Sequence, residues 1–311
     1  MSAADVIVVR MHNEGGPAGR GAELLPMLRQ SLDQRWQKYA AELARCRRKC
    51  SEKSVHDLRV ATRRLLATID VILAVMPGDL IRNVERTLRK RMKAFGPLRD
   101  VQVQLLRIGK LRQDHPDLTP FYTVLLLREQ HLMDLITRRL QRTMTTSMDE
   151  AVAACNERLE QFVHAEPMAR VASTAAIGTA AAAFARAVVL RQAIVPGDSA
   201  SIHHLRLAFK KYRYTIEVMQ PALPFVTENV LKNMNAYQDR MGQIQDVEVL
   251  AGSLKQFSRR TRGKSGTRLA PVRQALEEEH RVLMTAFHKA ADDLYGFWNS
   301  VQATMVAPPA A

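Results

Sequence analysis

The chain has 311 residues, of which 47% are hydrophobic and 5% aromatic, and it carries a formal net charge of +15. It is long enough to bury a core, and three cysteines, Cys46, Cys50 and Cys155, are too few and odd in number for a disulfide framework. A soluble chain this basic points to a polyanion as partner (nucleic acid, an anionic membrane surface or a polymeric phosphate), and charge does not choose among them.

Plentiful Ala, Leu, Arg, Met and Gln favour helix, and β-rich segments are missing apart from "VIVV" at 6–9. Residues 1–20 contain "EGGPAG" and read as a flexible N-terminus, with no basic start and long apolar run of a signal peptide. From about Ala22 the chain reads as helix almost throughout. Breaks are expected at "VMPGD" (75–79), "FGP" (95–97), "HPDLTP" (115–120), "VPGDSA" (195–200), "MQPALP" (219–224) and "RGKSG" (262–266).

Cys46 and Cys50 are expected on one face of the first helix. Without matched His or Cys elsewhere they read as ordinary thiols in a reducing cytoplasm. The second helix carries "SVHDLRVATRRLLATIDV" (54–71), and the third carries Arg82, Arg86, Arg89, Lys90 and Lys93 along one side. The block "FGPLRDVQV" (95–103) follows, with Asp100 expected to cap the next helix, and then "LTPFYTVLLLREQH" (118–131). Val171–Leu190 is about long enough to span a bilayer. It is mostly alanine and is interrupted by Arg186, so it reads as a tightly packed soluble helix and not a membrane span.

The plan then repeats. "SIHHLRLAFKKYRYTIEV" (201–218) follows the pattern of the second helix, "MGQIQDVEV" (241–249) that of "FGPLRDVQV", and "LAPVRQALEEEH" (269–280) loosely that of 118–131. Three matches in one order imply a duplicated unit. The fold expected is all-α: two four-helix bundles, 21–150 and 160–305, related by pseudo-two-fold duplication; if the basic helices of the two bundles face a common cleft, their cations line one channel.

At about 100° per residue, with His56 at zero, Arg59 lies near ~300° and Arg63 near ~340°, while Arg64 sits to one side. Leu58, Ala61, Leu65, Ile69 and Ile72 form the opposite, core-facing stripe. In the second copy His203, Arg206 and Lys210 share a face opposite Leu205, Ala208 and Ile216. A solvated helix face usually mixes Glu with Lys and Arg at i,i+4, whereas these stripes show almost no acidic partners. Crowded cations are strained alone and relieved by a bound polyanion. Arg forks suit phosphate oxygens, Lys adds point charge, and His adds a pH-dependent donor.

The blocks "VHDLRVATRR", "FGPLRDVQV", "IHHLRLAFKKYRY" and "QDRMGQIQDVEV" resemble the repeated signatures of the CHAD domain, the conserved histidine α-helical domain. The resemblance implies a basic cavity that binds inorganic polyphosphate, and association with polyphosphate granules. Carried over by position, it implicates His56, Arg59, Arg63, Arg64, Arg89 and Lys93, then His203, Arg206, Lys210, Lys211, Arg213 and Tyr214. Lys90 joins them from the basic side of the third helix. Asn235 stands where the family pattern has lysine, with Lys232 one turn away as its substitute, and Leu66 stands where arginine is usual.

The charge is also compatible with two other functions. Nucleic-acid binding fits the charge, and "RRTRGKSGTR" (259–268) is a basic loop that could touch it. However, aromatics for base stacking are scarce and no recognised binding motif is present. Phosphoryl-transfer catalysis would call for metal-holding carboxylates or a Gly-rich phosphate loop, and neither pattern occurs. "EEEH" (277–280) points its side chains in different directions on a helix. The expectation is therefore a cytoplasmic, noncatalytic polyphosphate-binding protein, with no cofactor or metal, and with nucleic acid as the alternative partner.

Overall fold

The computed structural model describes residues 21–142, 145–164, 166–223, 226–261 and 268–306. They form α1 (Gly21–Arg48), α2 (Glu52–Val75), α3 (Asp79–Ala94), α4 (Gly96–Leu111), α5 (Thr119–Gln141), α6 (Thr146–Val163), α7 (Glu166–Gln192), α8 (Ser199–Met219), α9 (Glu228–Arg260), α10 (Ala270–Ala290) and α11 (Asp293–Val306). No strand occurs among the described residues. The expected flexible N-terminus and positions 262–267 of the basic loop lie outside them.

Several helix starts are written in the side chains. Ser51 and Ser54 cap α2 reciprocally: the Ser54 amide donates to Ser51 Oγ and the Ser51 amide to Ser54 Oγ. Asp198 accepts from the amides of Ala200 and Ser201 at the start of α8, and Thr227 accepts from Val230 at the start of α9. The Ser51 cap corrects one expectation. Helix α1 stops at Arg48, so Cys50 lies beyond it, although it still hydrogen-bonds Cys46.

The expected breaks from 75 to 224 fall at helix ends. The second Gly–Asp block behaves differently from the first. Pro97 sits in the first turn of α4, where its missing N–H and its constraint on Gly96 stop α3 from continuing. Gln243 occupies the matching place in "MGQIQDVEV" and keeps its N–H, so α9 runs unbroken through 241–249 for 33 residues. Asp246 therefore caps nothing, and Asp100 makes no capping hydrogen bond in α4 either.

Buried side chains form two clusters. The larger joins α1, α2, α3 and α6 to α7, α8, the first half of α9 and α11, with Leu28, Leu65, Leu159, Phe184, Tyr212, Met241 and Trp298 among its members. The smaller joins Val101, Leu105 and Ile108 of α4 and Phe121 and Leu125 of α5 to Val247, Leu250 and Leu254 of α9 and Val272 and Leu276 of α10. Each cluster thus draws on both halves of the chain. Helix α6, which buries Met148, Ala151, Val152, Cys155 and Leu159, runs straight through the boundary expected at 150–160.

Within α7, Thr174–Gln192 is long and apolar enough to cross a membrane by length and composition. Its Ala176, Ala180, Ala183, Phe184 and Ala187 are buried at helical spacing where α7 meets α1, α2 and α8. Small side chains there let the four helix axes approach closely.

Candidate anion-binding site

Helices α2 and α8 pack directly against each other. Each sends leucine and isoleucine into the large core: Leu58, Leu65 and Ile69 from α2, Leu205 and Ile216 from α8. The same contact brings their basic stripes together. Lys210 is half-buried and stands among Arg63 and Arg59 of α2 and Arg206 and Arg213 of α8. Burial first, then these guanidiniums, push its amine down to about 7. Its amine has no ion pair or hydrogen bond among the described residues.

The neighbouring arginines are similarly short of acceptors. Arg59 donates from Nη1 to the Met92 carbonyl at 3.2 Å. Burial, followed by Arg63, pushes its guanidinium down to about 10. Arg206 lies against the backbone of Gly242, where a Cβ would sit 3.4 Å from Nη2 and 3.5 Å from Nε. The Nε groups of Arg63 and Arg206 and Nδ1 of His203 are buried without a hydrogen-bond partner among the described residues. Buried polar groups are normally satisfied, and an orphaned one costs ~1–3 kcal/mol. The orphaned guanidinium nitrogens of Arg63 and Arg206 beside an unpaired Lys210 make a site rich in donors.

The CHAD domain profile matches residues 30–255. This chain belongs to the CHAD domain family. Its fold is similar to that of the CHAD domain from the plant Ricinus communis, with a TM-score of 0.59 and 17% identity over 90% of this chain and 92% of that one. It is also similar to PptA from Streptomyces chartreusis, with a TM-score of 0.56 and 16% identity over 88% of this chain and 99% of that one. At such identities the likeness speaks for the fold. No curated protein matches the chain.

Not every cation expected at the site of this CHAD domain is free to serve it. Arg64 pairs with Glu217 of α8 at 3.0 Å. It lines a cleft of about 600 Å³ between α1 and α2, together with Arg35, Lys38, Glu42 and Asp57. Arg89 is held by Asp70 and by Glu85, each at 2.6 Å. Arg213 is buried; it donates to Gln238 at 3.1 Å, approaches Glu217 at 3.4 Å and covers the Tyr214 ring at 4.2 Å. The stripes therefore do have acidic partners, which arrive from neighbouring helices as well as at i,i+4. Lys211 is exposed and lies within electrostatic reach of Asp70. Lys90, Lys93 and Lys232 are exposed, with no side-chain hydrogen bond or ion pair among the described residues.

His56 is exposed at the edge of the cluster, where burial, Arg99 and Arg63 lower its pKa. Leu66 is buried, and Asn235 donates to Asp239 at 2.8 Å, so neither departure from the family pattern leaves an empty place.

Arg99 is the residue missed by sequence reasoning. It follows Leu98 in the quoted block and pairs with Glu52 at 3.0 Å. Its field reaches His56, Arg59, Asp100 and Asp246. Asp100 and Asp246 are counter-charges: the first faces Arg59, the second Arg206, and burial raises the pKa of both. The signal is their matched position in the repeated blocks 95–103 and 241–249.

Proposed function

We propose that this CHAD domain binds inorganic polyphosphate, without catalysis, at the cluster of Arg59, Arg63, Arg206 and Lys210, and that this binding draws it to polyphosphate granules in the cytoplasm. One observation carries the reading: Lys210 is set among four guanidiniums with no acceptor, beside the orphaned Nε groups of Arg63 and Arg206. A chain of phosphates supplies several acceptors at once and reverses the repulsion. Each contact adds modestly, and counterions are released on binding. Asp100 and Asp246 lie within electrostatic reach of Arg59 and Arg206 and offset part of their charge. The groups gathered here are donors and their counter-charges, a set suited to holding an anion.

A polymer of phosphate alone fits better than nucleic acid, because the Tyr214 ring beside the cluster is already covered by the Arg213 guanidinium at 4.2 Å and is not free to stack on a base. The test is a competition titration near physiological salt. Labelled long-chain polyphosphate is bound, then challenged with duplex DNA, RNA and short polyphosphate at equal phosphate concentration. Long polyphosphate should compete far better than the others. Equal competition by DNA or RNA would turn the site into a general polyanion surface. In a second arm, Arg59→Gln with Arg206→Gln should lose about 3 kcal/mol of binding, roughly a hundredfold, with an unchanged circular dichroism spectrum. A folded double variant with native affinity would place the ligand elsewhere.

A further inference from the structure

The cluster also brings an electrophile's recognition elements to a nucleophile. We propose that Lys210 is a site of covalent acylation by acyl phosphates, whose phosphate end is held by Arg59, Arg63 and Arg206 while the lysine amine attacks the acyl carbon. The inference rests on the anion-binding reading above.

The geometry supplies each part. Lys210 is half-buried. The contact of α2 with α8 gathers Arg59 and Arg63 with Arg206 and Arg213 around it, and the Nε groups of Arg63 and Arg206 are buried with no partner among the described residues. Asp100 of α4 and Asp246 of α9 act on Arg59 and Arg206, and Arg99 adds a further positive charge on Arg59. No carboxylate hydrogen-bonds the Lys210 amine among the described residues. An amine in such company sheds its proton near neutrality, the means by which desolvated lysines beside other cations become nucleophiles.

In the reaction the amine nitrogen forms a bond to the carbonyl carbon, and the bond from that carbon to the bridging phosphate oxygen breaks. Inorganic phosphate leaves with the electron pair, and the proton lost by nitrogen passes to phosphate or solvent. No oxidant or reductant is needed. The arginines that orient the phosphate also stabilise the charge on the leaving group. The product, an N-acyl lysine, is neutral and bulkier, so it removes one cation from the polyphosphate site.

Acetyl phosphate is the probe. The full chain is incubated with it at pH 7.5, and acetylation of each lysine is followed by mass spectrometry. Lys211, adjacent and exposed, is the internal control. A surface lysine has about one amine in a thousand unprotonated at this pH, so Lys210 should react at least about tenfold faster even as a weaker base. Saturating long-chain polyphosphate should suppress acetylation of Lys210 and leave exposed Lys255 unchanged. Arg63→Gln should slow Lys210 acetylation several-fold, and the Lys210-acetylated protein should bind labelled polyphosphate about tenfold more weakly. Equal rates at Lys210 and Lys211 in a protein that binds polyphosphate would overturn the acylation site and leave the binding reading standing. Fast acetylation of Lys210 with no polyphosphate binding or protection would overturn the shared site, and the polyphosphate reading with it.

Discussion

Lys210 and Arg213 lie one turn apart on α8 and meet opposite fates. Arg213 has Glu217 four residues on, Gln238 across the interface and the Tyr214 ring beneath it. The charged groups that act most on Lys210 are all cations. Its proton is lost near pH 7 in the empty site and restored by a polyanion, so affinity for polyphosphate should fall as pH rises from 7 to 9. Fluorescence polarisation at constant ionic strength measures this, and Lys210→Arg should flatten the profile. The same group affects stability with a definite sign. Its folded pKa lies below its unfolded one, so its penalty is full below about 7 and disappears as pH rises toward the unfolded lysine value, ~10.4. Urea titrations should show Lys210→Met removing that rise. Glu217→Gln should cost about 1–2 kcal/mol in the same assay, because Arg213 loses a partner while buried. The basic stripes were legible as periodicity in sequence, whereas the pairing of Arg64 was not. Its partner Glu217 belongs to a helix far along the chain, and no spacing rule within α2 points to it.

Among the elements, α3 and α9, which carry or precede the two similar blocks 95–103 and 241–249, show how one residue changes architecture. Pro97 divides α3 from α4, and Gln243 lets α9 continue. The helical class and the main breaks followed from Pro and Gly, yet the repeat suggested a second break that the local chemistry does not require. Cys50 was misplaced for the opposite reason: Ser51 and Ser54 form a cap without the usual Glu or Gln partner, so the signal is weak in sequence. Helix α7 packs through one face of small side chains. Ala180 is fully covered there, so Ala180→Leu should destabilise the protein by about 1–3 kcal/mol through overpacking, seen as a lower urea midpoint.

For the molecule as a whole, the net charge of +15 sets the long-range attraction and the cluster sets the contacts. If four cations meet phosphate, a plot of log affinity against log salt should have a slope of about −3, at ~0.7 per contact on a single-stranded polyanion. A much steeper slope would show the outer lysines joining in. The sharing of both cores between the two halves has a further consequence, at the ribosome. While the chain is being made, Leu28, Leu65 and Leu159 emerge long before Trp298 and Val301 can cover their cluster. The second cluster likewise waits for Leu269, Val272 and Leu276. The first half therefore leaves the exit tunnel as a sticky, unfinished nascent chain, and native packing waits until Trp298 and Val301 have emerged. Stalled chains ending near residue 160 should stay sensitive to protease, and chains carried past Val301 should resist it.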